Sequence, residues 1–142
     1  MRVVLIGASR LALATVVSFL EDGHEVVLIE KEQSVIEELD QDYDCSFYCG
    51  DGAKPSVLED VDPANTDLLI CLSDDDTSNV LAAVVAKSMD FDRVVLRLED
   101  PQLLPICEQL QLENVIIPNQ RIASELLSYA EGKQESPENA SG

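Results

Sequence analysis

Short apolar runs alternate with longer, more polar stretches along almost the whole chain, and this alternation restricts the possible fold more than any other feature. Residues 2–6 (RVVLI), 25–29 (EVVLI) and 67–72 (DLLICL) are apolar with few interruptions. Such runs are expected of strands that are buried on both faces, as in parallel sheets. Three further strands are predicted at residues 46–49, 93–98 and 114–117.

Helical patterns fill the stretches between these runs. Residues 10–20 contain neither Gly nor Pro, and Gly23 follows as the predicted left-handed cap. The other helices are predicted at residues 32–39, from Pro55 onward, and at 75–88, 101–110 and 120–129. Strands that alternate with helices through short connections form parallel sheets. The sequence therefore predicts an α/β fold, a Rossmann-like, doubly wound parallel sheet of six strands with helices on both faces.

The length of 142 residues suits a single domain, which we place at residues 1–130. Residues 131–142 are polar and are predicted to form a flexible tail or linker. No run reaches the roughly 20 apolar residues of a membrane span, and no signal-peptide pattern begins the chain. We therefore expect a cytoplasmic domain that does not insert into the membrane. Its four cysteines form no CxxC pair and are expected to be reduced, buried thiols: Cys45, Cys49, Cys71 and Cys107.

The chain is strongly acidic, with nine basic and twenty-eight acidic residues and a formal net charge of -19. This charge repels phosphodiester backbones and anionic lipid surfaces, so nucleic acid is not expected as a partner. The acids are scattered through the sequence, as expected for a solvated surface. Such an excess is also typical of proteins from cells with high internal salt, which concerns habitat and not activity.

The first strand ends in residues 7–12 (GASRLA), which partly match the phosphate-binding pattern GxGxxG. Gly7 keeps the first glycine, and Ala12 is small enough for the third position. Ser9 replaces the second glycine, whose missing side chain lets a pyrophosphate approach the backbone. Two interpretations remain open: the Ser9 hydroxyl donates to a phosphate oxygen at the helix N-terminus, or Ser9 only caps that helix.

Acidic residues follow the next two strands. Glu30 lies 23 residues after Gly7, near the spacing at which a carboxylate accepts hydrogen bonds from a ribose, and an acid there disfavours a 2′-phosphate. Asp51, between Gly50 and Gly52, is placed to accept the amine of an adenine. The alternatives are a solvated acid at a strand end for Glu30 and an ordinary Gly-Asp-Gly turn for Asp51.

The fourth and fifth strands also end in charged residues. Residues 73–79 (SDDDTSN) contain three aspartates, which indicate helix caps or, as the alternative, a divalent-cation site. Arg97 ends the fifth strand and either faces a phosphate or forms a surface ion pair with Glu99 or Asp100.

Taken in order, these segments resemble the TrkA N-terminal family, also called RCK or KTN domains. VVLIGASRLA, GHEVVLIEKE, CGDGA, LSDDDTSN and VLRLEDP carry the resemblance, which extends over residues 2–129. It implies a cytosolic regulatory domain that binds NAD(H), AMP, ADP or ATP and regulates a membrane potassium channel or transporter. It also implies a homodimer or higher homo-oligomer, and sensing without enzymatic turnover.

The predicted site combines the first turn with residues that the resemblance places at the ligand. By that resemblance Arg10 lies beside the phosphates, Glu30 at the ribose and Asp51 at the adenine. The full predicted set is Gly7, Ser9, Arg10, Leu11, Glu30, Lys31, Asp51, Gly52, Ser73 and Arg97. The sequence departs from the family pattern at Ser9 and Ala12, which replace glycines, and at Gly52, which replaces the usual alanine. We expect Ser9 to disfavour a dinucleotide more than a mononucleotide.

Two alternative functions remain. A degenerate module would keep the fold for subunit assembly and lose its ligand. A small NAD-dependent reductase would use the YxxxK pair formed by Tyr129 and Lys133, but this pair lies where the last helix ends, next to Gly132. His24, the only histidine, falls in a turn, so no histidine-based acid–base pair is expected.

Overall fold

The computed structural model describes residues 1–133, which contain one parallel sheet with the strand order β3-β2-β1-β4-β5-β6. The strands are β1 (Arg2–Ile6), β2 (Glu25–Glu30), β3 (Ser46–Cys49), β4 (Leu68–Cys71), β5 (Val94–Arg97) and β6 (Val115–Ile116). This order confirms the predicted Rossmann-like fold. Of the predicted tail, residues 134–142 lie outside the described part of the chain.

In the described part of the chain, six α-helices connect and follow the strands. They are α1 (Arg10–Glu21), α2 (Gln33–Asp40), α3 (Pro55–Asp60), α4 (Asp76–Ser88), α5 (Leu104–Gln109) and α6 (Pro118–Ala130). Gly23 follows α1 with φ +83°, as its predicted role as a left-handed cap requires. Within residues 1–133, no helix combines the length and apolar character needed to cross a membrane.

Two helices differ from the prediction by more than one residue at a boundary. The helix expected at 101–110 is divided into a 3-10 turn, Pro101–Leu103, and the shorter α5. The side chain of Asp100 accepts a hydrogen bond from the Gln102 N–H and so holds this turn. α6 begins two residues earlier than predicted because Pro118 fits the first helical turn, where no N–H is needed.

The sheet is buried on both faces, which explains why its strands have continuous apolar sequences. Alternate residues of β1, such as Val3 and Leu5, pack with Ala12 and Val16 of α1 on one face. The residues between them pack on the other face, in a second core cluster that includes Val4, Ile6, Val27, Ile29, Leu58, Ala83 and Cys107. Successive side chains of a strand point to opposite faces of the sheet, so each central strand contributes to both layers of the core.

The cysteines are free thiols, as predicted, but they are not all buried. Cys71 and Cys107 are buried in the core, Cys45 is half-buried and Cys49 is exposed. Burial raises the pKa of the Cys71 thiol to about 12, so this group is neutral at physiological pH. The expectation of burial is wrong for Cys49, because β3 is an edge strand with exposed ends.

The strand order places a crevice at the centre of the sheet. β1 and β4 are neighbours, with Ile6 beside Cys71, but the chain leaves β1 toward β2 and leaves β4 toward β5. The connections after these two strands therefore diverge at the carboxyl edge of the sheet. In open α/β sheets, ligands bind at this reversal of strand order.

Candidate functional site

A groove of about 520 Å³ opens at this carboxyl edge, beside the ends of β1, β2 and β3 and the first turns of α4. Apolar side chains on its wall include Ile6, Ile29, Leu81 and Ala82. Six of the ten predicted site residues line it: Gly7, Glu30, Lys31, Asp51, Gly52 and Ser73. Four separate connections of the chain supply these six residues, so the fold assembles them into one site.

Gly7 allows the ends of β1 and β4 to approach closely. Its φ of +96° lies in the region that side chains disfavour. A Cβ on Gly7 would also lie 2.7 Å from the Ser73 Cα, which is inside van der Waals contact. The backbone of the first turn can therefore reach the edge of the groove only with glycine at this position.

Ser9 is the N-cap of α1, and its hydroxyl is fully engaged in this structure. The Oγ–H donates to the Leu72 carbonyl at 2.5 Å, and the Oγ accepts from the Ala12 N–H at 3.1 Å. A hydroxyl has one proton, so none is left for the phosphate contact considered from sequence. Of the two interpretations of Ser9, the helix cap is the one that the structure contains.

Three predicted site residues of the first turn lie outside the groove lining. Ser9 is buried beneath the turn, whereas Arg10 and Leu11 are exposed on the first turn of α1. Within residues 1–133, the Arg10 guanidinium has no hydrogen bond or ion pair to another side chain. It is therefore free to reach an anion at this edge of the sheet.

Asp51 and Glu30 present carboxylates to the groove. Asp51 Oδ1 accepts from the Ala53 N–H at 2.9 Å, and this bond holds the turn after β3. Its other oxygen accepts no hydrogen bond from residues 1–133 and is available to a ligand. Glu30 is the last residue of β2 and is half-buried beside Cys49 of β3.

The environment of Gly52 explains why glycine replaces the usual alanine. Gly52 is buried, and a Cβ built on it would collide with the side chain of Ile6. The branched side chain of Ile6 thus occupies the volume that an alanine methyl group would take. This departure from the family pattern is a packing effect and does not remove a polar contact.

Asn79 is a structural residue of the site that no sequence pattern indicated. Its amide is 1% exposed and makes four hydrogen bonds. Nδ2 donates to the carbonyls of Ser73 at 2.9 Å and Arg97 at 3.0 Å. Oδ1 accepts from the N–H and the hydroxyl of Ser73, each at 2.9 Å. Asn79 therefore joins the ends of β4 and β5, and it turns the Ser73 hydroxyl toward itself.

Two of the three aspartates after β4, Asp75 and Asp76, accept hydrogen bonds from the backbone. Asp75 is the N-cap of α4 and accepts from the Ser78 hydroxyl at 2.6 Å and the Ser78 N–H at 3.1 Å. These hydrogen bonds, above all the one from the hydroxyl, lower the pKa of Asp75. Asp76 accepts from two backbone N–H groups after β5, those of Glu99 at 2.8 Å and Asp100 at 2.9 Å. In the described part of the chain, no group of three acidic, Cys or His side chains is arranged to hold a metal ion.

Arg97 lies behind the groove and does not line it. Its Nη1 donates to the Ser73 carbonyl at 3.2 Å and lies 3.9 Å from Asp74 Oδ1. The ion-pair alternative considered from sequence named Glu99 or Asp100, but the acidic partner in the structure is Asp74. The Arg97 side chain is 16% exposed and braces the turn after β4.

The residues proposed for a reductase lie apart from the groove. Tyr129 is exposed near the end of α6, and the Lys133 ammonium lies 3.6 Å from the Glu131 carboxylate. His24 contacts Asp22 and the N-terminal amine, outside the groove lining. The described chain therefore places neither the YxxxK pair nor the histidine beside the strand-end site.

Several solved structures share this fold. The NAD(P)-binding domain of an exopolyphosphatase-related protein from Archaeoglobus fulgidus has a TM-score of 0.82 at 15% identity, over 92% of this chain and 97% of that one. The GsuK channel bound to NAD has a TM-score of 0.77 at 16% identity, over 89% of this chain and 23% of that one. The AMP-bound Kef C-terminal domain from Shewanella denitrificans has a TM-score of 0.75 at 14% identity, over 95% and 84%.

Curated relatives are potassium uptake proteins. A Trk system potassium uptake protein TrkA homolog of Methanothermobacter thermautotrophicus is 25% identical over 126 residues, which cover 89% of this chain and 58% of the relative. TrkA of Vibrio alginolyticus is 25% identical over 129 residues, which cover 90% of this chain and 28% of the relative. The chain thus spans less than two thirds of the length of these relatives. The TrkA-N domain family matches residues 3–118. The chain belongs to the TrkA-N family, and its fold is that of the GsuK RCK domain and the Kef C-terminal domain.

Proposed function

We propose that the groove binds an adenine nucleotide and that the domain transmits the bound state to a membrane protein that transports potassium or another cation. The observation that carries this proposal is the convergence of Gly7, Glu30, Asp51 and Ser73 on one groove at the reversal of strand order. The family supplies the direction of the proposal, because the relatives above are potassium uptake proteins.

The adenosine part of the ligand fits the polar and apolar walls of the groove. Asp51 has one free carboxylate oxygen, which accepts the exocyclic amine of the adenine. Ile29 and Leu81 provide apolar surface for the base. Glu30 accepts the ribose hydroxyls, and its negative charge disfavours a 2′-phosphate. We assign the 5′-phosphate to Arg10, which is exposed on the first turn of α1.

The ligands to test are NAD(H), AMP, ADP and ATP. Solved relatives of the same fold are described with NAD, with ADP and with AMP, which supports an adenine nucleotide as the shared class. The acidic lining does not favour a ligand with many negative charges. AMP and the pyrophosphate of NAD each carry about two negative charges, so we expect ADP and ATP to bind less well than AMP or NAD.

Calorimetric titration of the purified chain tests the proposal. Glu30→Ala and Arg10→Ala should each weaken binding about tenfold, because each removes a charged partner of the ligand worth roughly 1.4 kcal/mol. Glu32→Ala is the matched control, since Glu32 is exposed, has no side-chain cap hydrogen bond and does not line the groove. Its affinity should equal that of the unmodified chain.

Two results would favour the other functions. An absence of heat with every nucleotide at millimolar concentration would support a degenerate module that serves assembly alone. Oxidation of NADH with simple carbonyl substrates would support a reductase. We propose that the chain is not an enzyme, in line with the transport functions named for its relatives.

The partner that we propose is a cytoplasm-facing part of a potassium channel or transporter, with the domain in the cytoplasm. Replacing Glu30 by Ala in the host should remove the nucleotide dependence of rubidium uptake, because the ligand could no longer be sensed. The Glu32→Ala host is again the control. Unchanged nucleotide dependence in the Glu30→Ala host would contradict this assignment.

We further propose self-association through α6. Among the described residues this helix buries none of its own side chains. Ile122, Leu126 and Tyr129 are 54%, 62% and 48% exposed, and the helical repeat places them on one face. Leu126→Glu should shift the molar mass in light scattering toward the monomer, whereas Ser124→Glu, on the opposite face, should not. If the unmodified chain, Leu126→Glu and Ser124→Glu are all monomers, this interface is excluded.

A further inference from the structure

We infer that the carboxylates of the groove make nucleotide binding dependent on ionic strength, so that the affinity for a phosphorylated nucleotide rises as the KCl concentration rises. This inference rests on the proposed nucleotide binding and concerns the regulation of the same site. The direction is the reverse of that at a basic site, where salt screens the attraction for an anionic ligand and weakens binding. A domain with this property reports the salt concentration of its surroundings through its bound nucleotide.

The charges that line the groove are mostly negative. In the described chain they are four carboxylates and one ammonium group: Glu30, Asp51, Asp74, Asp75 and Lys31. The charge of the Lys31 ammonium is partly offset by Asp75, since it contributes, after the Ser78 hydrogen bonds, to the lowered pKa of that carboxyl. An anion that enters the groove is therefore repelled by a surplus of negative charge.

Two arginines at the same edge of the sheet do not cancel this surplus. Arg97 Nη1 already lies 3.9 Å from Asp74 Oδ1 and donates to the Ser73 carbonyl at 3.2 Å. Arg10 is exposed at the start of α1, outside the groove lining, and offers a single positive charge to a phosphate. Beyond the groove, the formal net charge of -19 adds to the repulsion of any anion that approaches the chain.

Salt can screen this repulsion because the charges are accessible to mobile ions. The side chain of Asp74 is 84% exposed, and Asp75 and Lys31 are exposed as well. Raising KCl from 0.1 M to 1 M shortens the Debye length from about 10 Å to about 3 Å. The same salt weakens the attraction between Arg10 and a phosphate, but this is one charge against several carboxylates. The repulsion therefore loses more than the attraction, and a phosphorylated ligand binds more tightly.

Calorimetric titration of the full chain with AMP and ATP, in buffers of low and high KCl without divalent cations, tests the inference. ATP has two phosphates more than AMP, so it is repelled more strongly and gains more from screening. Between 0.1 M and 1 M KCl we expect the Kd for AMP to fall about fivefold and the ratio of the ATP Kd to the AMP Kd to fall about tenfold. The ratio is the decisive measurement, because any effect of KCl on the folded fraction of the chain changes both Kd values equally.

Two double variants locate the source of the repulsion. Asp74→Asn with Asp75→Asn removes half of the carboxylates of the lining, and asparagine still supplies a cap oxygen at position 75. Asp42→Asn with Asp44→Asn is the matched control, since it removes the same charge from two exposed residues that precede β3, at the opposite edge of the sheet. With KCl the ratio should fall only about threefold in the groove variant and about tenfold in the control.

The outcomes separate this inference from the proposed function. If AMP and ATP bind but the ratio of their Kd values stays constant or rises with KCl, the repulsion by the groove is refuted while nucleotide binding stands. An equal dependence of the ratio on KCl in the two double variants also refutes it, because the groove carboxylates would then act no differently from distant ones. If neither nucleotide binds at either KCl concentration, the proposed function fails and the inference fails with it.

Discussion

Gly7 and Gly23 both have left-handed backbone conformations, with φ of +96° and +83°, but their surroundings differ. A Cβ at Gly7 would lie 2.7 Å from the Ser73 Cα, whereas a Cβ at Gly23 would have no atom within 4 Å. Gly23→Ala should therefore cost only the backbone strain, about 1 kcal/mol. Gly7→Ala adds a clash with backbone that cannot move freely, for a total of about 3 kcal/mol or more. Urea denaturation of the two variants measures the difference, and equal losses would contradict the close approach of β1 and β4.

The four hydrogen bonds of the Asn79 side chain predict how much stability its replacement costs. Asn79→Ala leaves the Ser73 N–H and the Arg97 carbonyl without their side-chain partner in a partly buried place. We expect a loss of about 2–4 kcal/mol in the free energy of unfolding, because buried unpaired polar groups carry their full desolvation cost.

The control for this substitution is Asn114→Ala. Asn114 is exposed and makes one long hydrogen bond, 3.4 Å to the Val94 carbonyl. Its replacement should change the free energy of unfolding by no more than about 0.5 kcal/mol. A similar effect of both substitutions in urea titrations would argue against the four-bond role of Asn79.

At the scale of elements, the cap of α4 predicts a dependence of stability on pH. Hydrogen bonds from Ser78 lower the pKa of Asp75 below its ordinary value of 3.8. The carboxylate form is therefore favoured in the folded state. Its contribution is fully present above pH 3.8 and is lost as the pH falls through the lower pKa of the folded protein.

Asp75→Asn tests this contribution, because asparagine keeps an N-cap oxygen but does not titrate. Below pH 3.8 the free energy of unfolding of Asp75→Asn should fall less steeply with acid than that of the unmodified chain. Asp42→Asn removes an exposed negative charge elsewhere and corrects for the change in net charge. If the free energy of unfolding falls equally steeply with acid in the unmodified chain and in Asp75→Asn, the Asp75 carboxylate does not stabilise the helix as proposed.

The strands and helices themselves were predictable to within a few residues. β1 has the predicted bounds, because a continuous apolar run leaves little freedom for a buried strand. β3 also has the predicted bounds, although it is an edge strand with exposed ends. The division of the helix expected at 101–110 was not predictable, because it depends on a hydrogen bond from the Gln102 N–H to the Asp100 side chain. Local hydrogen bonds of this kind compete with helix geometry and leave no periodic signal.

For the whole molecule, the formal net charge of -19 predicts that salt stabilises the fold. Raising KCl from 0.1 M to 1 M shortens the Debye length from about 10 Å to about 3 Å and screens the repulsion between surface carboxylates. The melting temperature should therefore rise across this range. The melting temperature of a variant with Glu37→Gln, Glu38→Gln and Asp42→Asn should rise less with KCl, since this variant carries fewer exposed carboxylates. If the melting temperature rises equally with KCl in the unmodified chain and in the variant, KCl acts through something other than charge screening.

The sequence by itself determined the fold class, the edge of the sheet at which the groove lies and six of the residues that line the groove. These features follow from local patterns, namely apolar strand sequences, short connections and polar residues at strand ends. Because the strands are parallel, the polar residues at their carboxyl ends meet at one edge of the sheet. The tertiary structure alone decided how these residues are used. The Ser9 hydroxyl bonds to Leu72, 63 positions away, and Asn79 bonds to Arg97, 18 positions away. Contacts between residues so far apart depend on how strands pack against each other, and packing distances have no signature in a local sequence pattern.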